Sequence, residues 1–240
     1  MAESGARFEW IKSNPTPIFD FLRANRLAVG VSRKRAWLYF YRSLPDFVRM
    51  SLFARYYGEN RLFMQALKNC GDYEFYFDGC KNLARLELLR TIFPETKVIH
   101  LIKNPNAYLH SFLKRKNMNY HRVVNGWIRY NTTAHGFKDL LGPDKYRLIT
   151  FEELTNTPEE SLTKLYRFIG APERQECFDE WIDMERIHVV GNATKNVFRR
   201  VEKKAPRWKT ELRREQVAYV QKRVAETEWL APIFPEPGVA

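Results

Sequence analysis

Cysteine is scarce in this chain of 240 residues: Cys70, Cys80 and Cys177 stand far apart, with no C-x-x-C pair. That spacing implies neither a disulfide framework nor a zinc knuckle, and a reducing compartment is the simpler expectation. Histidine is also sparse, with 5 residues, and no grouping of His, Cys, Asp or Glu has metal-ligand spacing. No apolar run reaches membrane-spanning length, and the opening MAESGARFEW lacks the apolar core of a signal peptide. The chain is therefore expected to be soluble and cytoplasmic, with no membrane partner. Any G-x-x-x-x-G-K-[ST] string is missing too, which removes a P-loop kinase.

What the sequence does hold is apolar and basic. Hydrophobic residues make up 45% and aromatic residues 15%, enough for a packed core of one α/β domain and against disorder. Lysine and arginine number 40 against 28 acidic residues, a net charge of +12 that attracts polyanions. The basic residues are scattered, apart from Arg33-Lys34-Arg35, Lys114-Arg115-Lys116 and the span 199–209. A nucleic-acid reader would cluster them beside exposed aromatic residues, so no nucleic-acid partner is expected.

Residues 1–70 read as helical, with candidate helices at 18–24, 35–43, 46–57 and 60–68. Asp46 is a candidate cap and Gly58 a candidate stop, and most of the aromatic residues there are expected in the core. The texture then changes. Residues 73–78, YEFYFD, alternate weakly and read as a strand ending at Asp78. Leu83, Leu86, Leu89 and Phe93 form a helical stripe closed by Pro94. KVIHLI at 97–102 and YRLITF at 146–151 read as strands, with helices at 104–116 and 120–141 between them. Thr157, Pro158 and Glu160 fit a capping box with proline at the first helical position, and Gly170 stops that helix.

Strands alternating with helices predict a parallel sheet covered by helices, with ligands beyond the strand carboxyl ends. Asp78, Lys103 and Glu152 each sit just past such an end. Lys103 opens the segment KNPNAYLHS, where a helix N-terminus with unpaired N–H groups and a full positive charge suits an anion. From the residues alone, an ordinary strand-to-helix turn with a solvated lysine remains the alternative. His100 lies within a strand and reads as a core residue, while His110, His121 and His135 lie on helix faces.

Four segments in order resemble the sulfotransferases that use 3′-phosphoadenosine 5′-phosphosulfate (PAPS), especially the bacterial-type branch. FDGCKN at 77–82 resembles the strand-end D-S-S-K motif. HLIKNPNAYLHS at 100–111 resembles the 3′-phosphate segment R-D-P-R-x-x-x-x-S, with Lys103, Asn104, Pro105, Asn106 and Ser111 at those positions. YRLITFEELTNTPEESLTKLYRFIGAP at 146–172 resembles the segment built on R-Y-E-D-L, with Glu152 and Leu154 kept. HVVGNATKN at 188–196 resembles H-x-x-x-G-N-x-x-R, the loop over the nucleotide. Trp127, Tyr130 and Trp208 also suit the pattern.

The resemblance implies a P-loop-NTPase-like, three-layer α/β fold with a parallel sheet flanked by helices, as one domain over 1–240. Within it, 1–70 would be a helical substrate-side region, 71–212 the nucleotide-binding core and 213–240 a C-terminal helix and tail. PAPS would be the sulfuryl donor, with no metal, and the acceptor a hydroxyl or amine on a carbohydrate, lipid or small molecule. Asp78 would be the catalytic base or an orienter of Lys81, and Lys81 would stabilise sulfuryl or phosphate oxygens. Helix capping by Asp78 or Asn82 is the alternative for that segment. Lys103 and Ser111 would bind the 3′-phosphate, and Gly191, Asn192 and Lys195 would close over the nucleotide. Glu152 is expected to be structural. The family's Gly-rich 5′-phosphosulfate loop is not found. The nearest string, AVGVSRKRAW at 28–37, lacks its second glycine and Thr pair. The chain therefore reads as starting after the first βα unit, and an inactive or truncated relative with residual nucleotide or partner binding is the second reading.

Overall fold

The computed structural model describes residues 40–69, 71, 74–79, 81–114, 118–173 and 206–235. The string at 28–37, the expected helix at 18–24, and His188, Gly191, Asn192 and Lys195 lie outside the described residues. The chain packs as two compact units, 1–96 and 97–240.

The first unit is helical. A turn of helix at 40–43 precedes α1 (Asp46–Leu52), α2 (Ala54–Asn69) and α3 (Leu83–Ile92). Two local expectations fail here. Pro45 holds the cap position of α1 without a side-chain cap bond, and Asp46 pairs with Arg49 inside the helix. Gly58 lies within α2, and the break comes at Phe53, whose N–H returns to Arg49 O at 3.1 Å. Tyr41, Tyr56, Tyr57, Leu88 and Ile92 form the core, with Phe53, Leu89 and Phe93 packed against it. Not every aromatic joins it: Phe40, Phe47 and Phe77 are exposed. Of the strand expected at 73–78, the described residues 74–78 form no strand and have no ladder partner among the described residues. Alternating aromatic residues suit a strand, but only a neighbouring strand satisfies its N–H and C=O groups.

The second unit contains the sheet. β1 (Val98–Ile102) and β2 (Tyr146–Thr150) pair in parallel, from Val98 opposite Tyr146 to Ile102 opposite Thr150. Parallel neighbours need a long crossover, and here it consists of α4 (Pro105–Leu113), α5 (Tyr120–His135) and α6 (Phe137–Leu141). Gly136 divides the helix expected at 120–141, and Gly142, at φ +72°, ends it. After β2 come α7 (Phe151–Asn156) and α8 (Pro158–Ile169), then α9 (Trp208–Glu211) and α10 (Arg214–Ala225). Gly170 closes α8 at φ +82°, and N–H groups of Gly170 and Ala171 both reach Tyr166 O, a closure that a side chain at 170 would strain.

The capping box sits one helix earlier than expected. Thr150 accepts from Glu153 N–H, and the Glu153 carboxylate accepts from Thr150 N–H. Thr157 makes no cap bond, because its hydroxyl donates back to Glu153 O within α7. The core joins Ile102, Leu109, Val123, Val124, Trp127, Ile128, Val220, Val224 and Leu230, so α4, α5 and α10 share one apolar centre with the end of β1. Among the described residues, no helix is long and apolar enough to cross a membrane.

Candidate functional site

The register of the sheet creates the site. Ile102 and Thr150 are opposite one another at the ends of their strands, so the next residues, Lys103 and Phe151, emerge together. Lys103 Nζ lies 4.9 Å from the centre of the Phe151 ring, a cation–π contact. One residue further on, Asn104 N–H donates to both carboxylate oxygens of Glu152, at 3.1 Å each. Glu152 is thus structural, as expected: it ties the β1–α4 turn to the start of α7. Lys103 has no ion-pair partner among the described residues.

The head of α4 is more closed than its sequence suggests. The Asn104 side chain accepts from the N–H groups of Asn106 and Ala107, at 3.0 and 3.2 Å, and Tyr108 N–H returns to Asn104 O. Pro105 has no N–H, and Asn104 N–H is held by Glu152. The expected supply of unpaired N–H groups is therefore used up within the fold. An anion here must be gripped by side chains, with Lys103 as the cation and Ser111 half-buried further along α4.

Asn106, at the second Arg position of the resemblance, is 7% exposed, and its Oδ1 has no hydrogen-bond partner among the described residues. It lines a cleft of about 270 Å³ with Asn104, Pro105, Trp208, Lys209 and Phe234. Trp208 therefore stands beside the head of α4, while Trp127 is buried in the core and Tyr130 is exposed. His110 Nε2 meets Glu211 Oε2 at 2.8 Å, and Lys114 Nζ meets the same oxygen at 2.9 Å. This pair of contacts ties α4 to α9. The His110 hydrogen bond first, then Lys114, holds the Glu211 carboxyl down to about 2.

In the first unit, Asp78 and Lys81 precede α3. Asn82 caps that helix, accepting from Ala84 and Arg85 N–H, while Lys81 is exposed. Asp78 is not a cap. Its Oδ2 receives Arg85 Nε at 2.7 Å, and the same guanidinium donates to Tyr56 Oη at 3.2 Å and Asn60 Oδ1 at 3.3 Å. Arg85 is 6% exposed. Burial works against its charge, but Tyr56 and then Asp78 hold its pKa above the ordinary value.

Reading the sequence missed two of these partners. Arg85 is invisible as a partner of Asp78 because the pairing depends on how 75–79 folds back on α3. Phe151 was findable: the strands at 98–102 and 146–150, once set in register, put the residues after them side by side.

The Sulfotransferase family model matches residues 26–176 of this chain, more than half its length. The chain belongs to the sulfotransferase family. No curated protein sequence matches it. Among solved structures, a sulfotransferase domain from the curacin biosynthetic pathway superposes with a TM-score of 0.55 over 77% of this chain and 75% of that one. At 16% identity, that likeness shows the fold: a helix-rich α/β sulfotransferase architecture around a parallel sheet. Among the described residues of this sulfotransferase-family chain, no group of three or more His, Cys, Asp or Glu is placed to hold a metal ion.

Proposed function

We propose that this protein is a PAPS-dependent sulfotransferase that moves a sulfuryl group to a hydroxyl or amine acceptor. One observation carries the reading: Lys103 stands at the end of β1 and the head of α4, seated on Phe151, with no carboxylate partner among the described residues. A lone oriented cation beyond the carboxyl end of a parallel strand suits a phosphate. In this reading Lys103 and Ser111 bind the 3′-phosphate of the donor. Lysine brings a point charge rather than a planar fork, so the grip is less directional than an arginine's. Gly191, Asn192 and Lys195 close over the nucleotide.

In the transfer, the acceptor oxygen attacks sulfur, the bond from sulfur to the bridging oxygen breaks, and 3′-phosphoadenosine 5′-phosphate leaves. The acceptor proton passes to a base. Lys81 offsets the charge that develops on the bridging oxygen. Asp78, already engaged by the Arg85 guanidinium, is better suited to orienting Lys81 than to taking the proton. The acceptor is a carbohydrate, lipid or other small molecule, and no metal takes part.

Calorimetric titration with 3′-phosphoadenosine 5′-phosphate, beside adenosine 5′-phosphate, tests the nucleotide site. We expect binding that requires the 3′-phosphate and weakens at least about tenfold in Lys103→Ala, the loss of a charge-assisted contact. Binding of both nucleotides alike, or none, overturns the reading and leaves a non-catalytic relative.

A further inference from the structure

His100 is buried at the centre of β1, 7% exposed, and both of its ring nitrogens are engaged. Nδ1 lies 2.6 Å from Tyr146 Oη on β2, and Nε2 lies 3.0 Å from Asn131 Oδ1 on α5. The direction of each bond is fixed by the one beyond it. Asn131 Nδ2 donates to Trp127 O at 2.8 Å, so Oδ1 is the atom turned to His100. An amide oxygen only accepts, so Nε2 carries the hydrogen. In the neutral ring Nδ1 is then bare, and Tyr146 O–H donates to it.

Among the described residues, the Tyr146 hydroxyl has one other partner. His135 Nδ1 on α5 lies 3.5 Å from the same phenol oxygen. The His135 ring stacks on Trp229 at 4.2 Å and 8°, and Trp229 Nε1 donates to Thr132 Oγ1 at 3.1 Å. Tyr146 is 5% exposed, which leaves little room for water to take its proton. Among the described residues, the charged groups acting on this hydrogen-bonded chain are His135 on His100, and Lys138 and Asp139 of α6 on His135.

We propose that His100, Tyr146 and His135 form a relay that holds at most one added proton, and that the second makes the β1–β2–α5 packing acid-labile. A proton on His135 is accommodated: His135 N–H donates to the Tyr146 oxygen while Tyr146 still donates to His100. A proton on His100 is accommodated by reversal: Nδ1–H donates to Tyr146, whose own O–H turns to a bare His135 Nδ1. With both rings charged, the phenol oxygen faces two N–H donors and its hydrogen has no acceptor. Burial pushes both imidazoles below the ordinary value in the same direction. The sign follows. The unfolded chain takes up two protons below about 6.5 and the fold at most one, so stability is full above that value and falls as pH drops through it. Each proton of difference raises the unfolding constant about tenfold per pH unit.

The test is urea unfolding of the full chain between pH 7.5 and 5, for wild type, His100→Gln and His135→Phe, the last keeping the stack on Trp229. The unfolding constant of wild type should rise about tenfold more per pH unit than that of His100→Gln, and His135→Phe should keep the wild-type slope, because without His135 a protonated His100 leaves the Tyr146 hydrogen no acceptor. Nitrogen-15 spectra of the imidazoles in wild type should show His100 as the Nε2–H tautomer at pH 7.5, and one ring at most titrating before unfolding. If a variant fails to fold, those spectra decide alone. Two rings protonating independently in the folded protein, or pH slopes equal across the three proteins, overturns the proposal.

Discussion

Each of the two units buries polar side chains, but by opposite means. The first uses full charges: Arg85 with Asp78, and Glu87, 0% exposed, between Arg42 at 2.8 Å and Arg90. The second buries a neutral chain, Tyr146–His100–Asn131, beside the strand that leads to Lys103. A charged cluster fails when one member is removed, because the survivor is left charged and unpaired. A neutral chain fails when a proton is added. The first is therefore a mutational weakness, the second a pH weakness.

The largest effect should come from Glu87→Ala, which removes a fully buried carboxylate from between Arg42 and Arg90. We expect a loss of about 3–5 kcal/mol by denaturant unfolding, and a loss under 1 kcal/mol would show the cluster to be no more than a surface pair. Next, Asn104→Ala should cost about 1–2 kcal/mol, since one side chain satisfies two N–H groups at the head of α4. Thr150→Ala should cost about 1 kcal/mol and Thr157→Ala much less, a ranking that follows from where the capping box lies. A reversed order would put the box back at Thr157. The smallest effect lies at the surface. Glu211, held down to about 2, stabilises above its ordinary value near 4.5 and loses that contribution as pH falls between the two. Glu211→Gln should flatten the acid limb of the stability curve in that window alone.

Much of the fold could be read from the chain because its punctuation is strong. Pro94 and Pro105 bracket β1, Gly142 precedes β2, and the stripe from Leu83 onward gave α3 within a residue or two. Failures came where local pattern meets a distant partner. Residues 73–78 have a strand's alternation without a ladder partner among the described residues, and Thr157 looks like a cap until Glu153 O claims its hydroxyl. The site was legible in the same measure. Lys103 and Glu152 were found by their position after a strand, but not the saturation of the α4 N–H groups. That depends on Glu152 and Asn104 reaching the same turn.

The seat of Lys103 on Phe151 has a thermodynamic consequence. A lysine side chain ordered on binding forfeits up to about 2 kcal/mol of rotamer freedom. Here the four-carbon stem is already parked against a ring at the rim of the sheet, so much of that ordering belongs to folding. An anion arriving at Lys103 meets a cation already held on the ring and adds an ion pair without first freezing a floppy chain. Phe151→Leu should leave the charge in place and still weaken the proposed 3′-phosphate binding about two- to fivefold, the scale of an exposed cation–π contact. The change should appear in the binding entropy more than in the enthalpy.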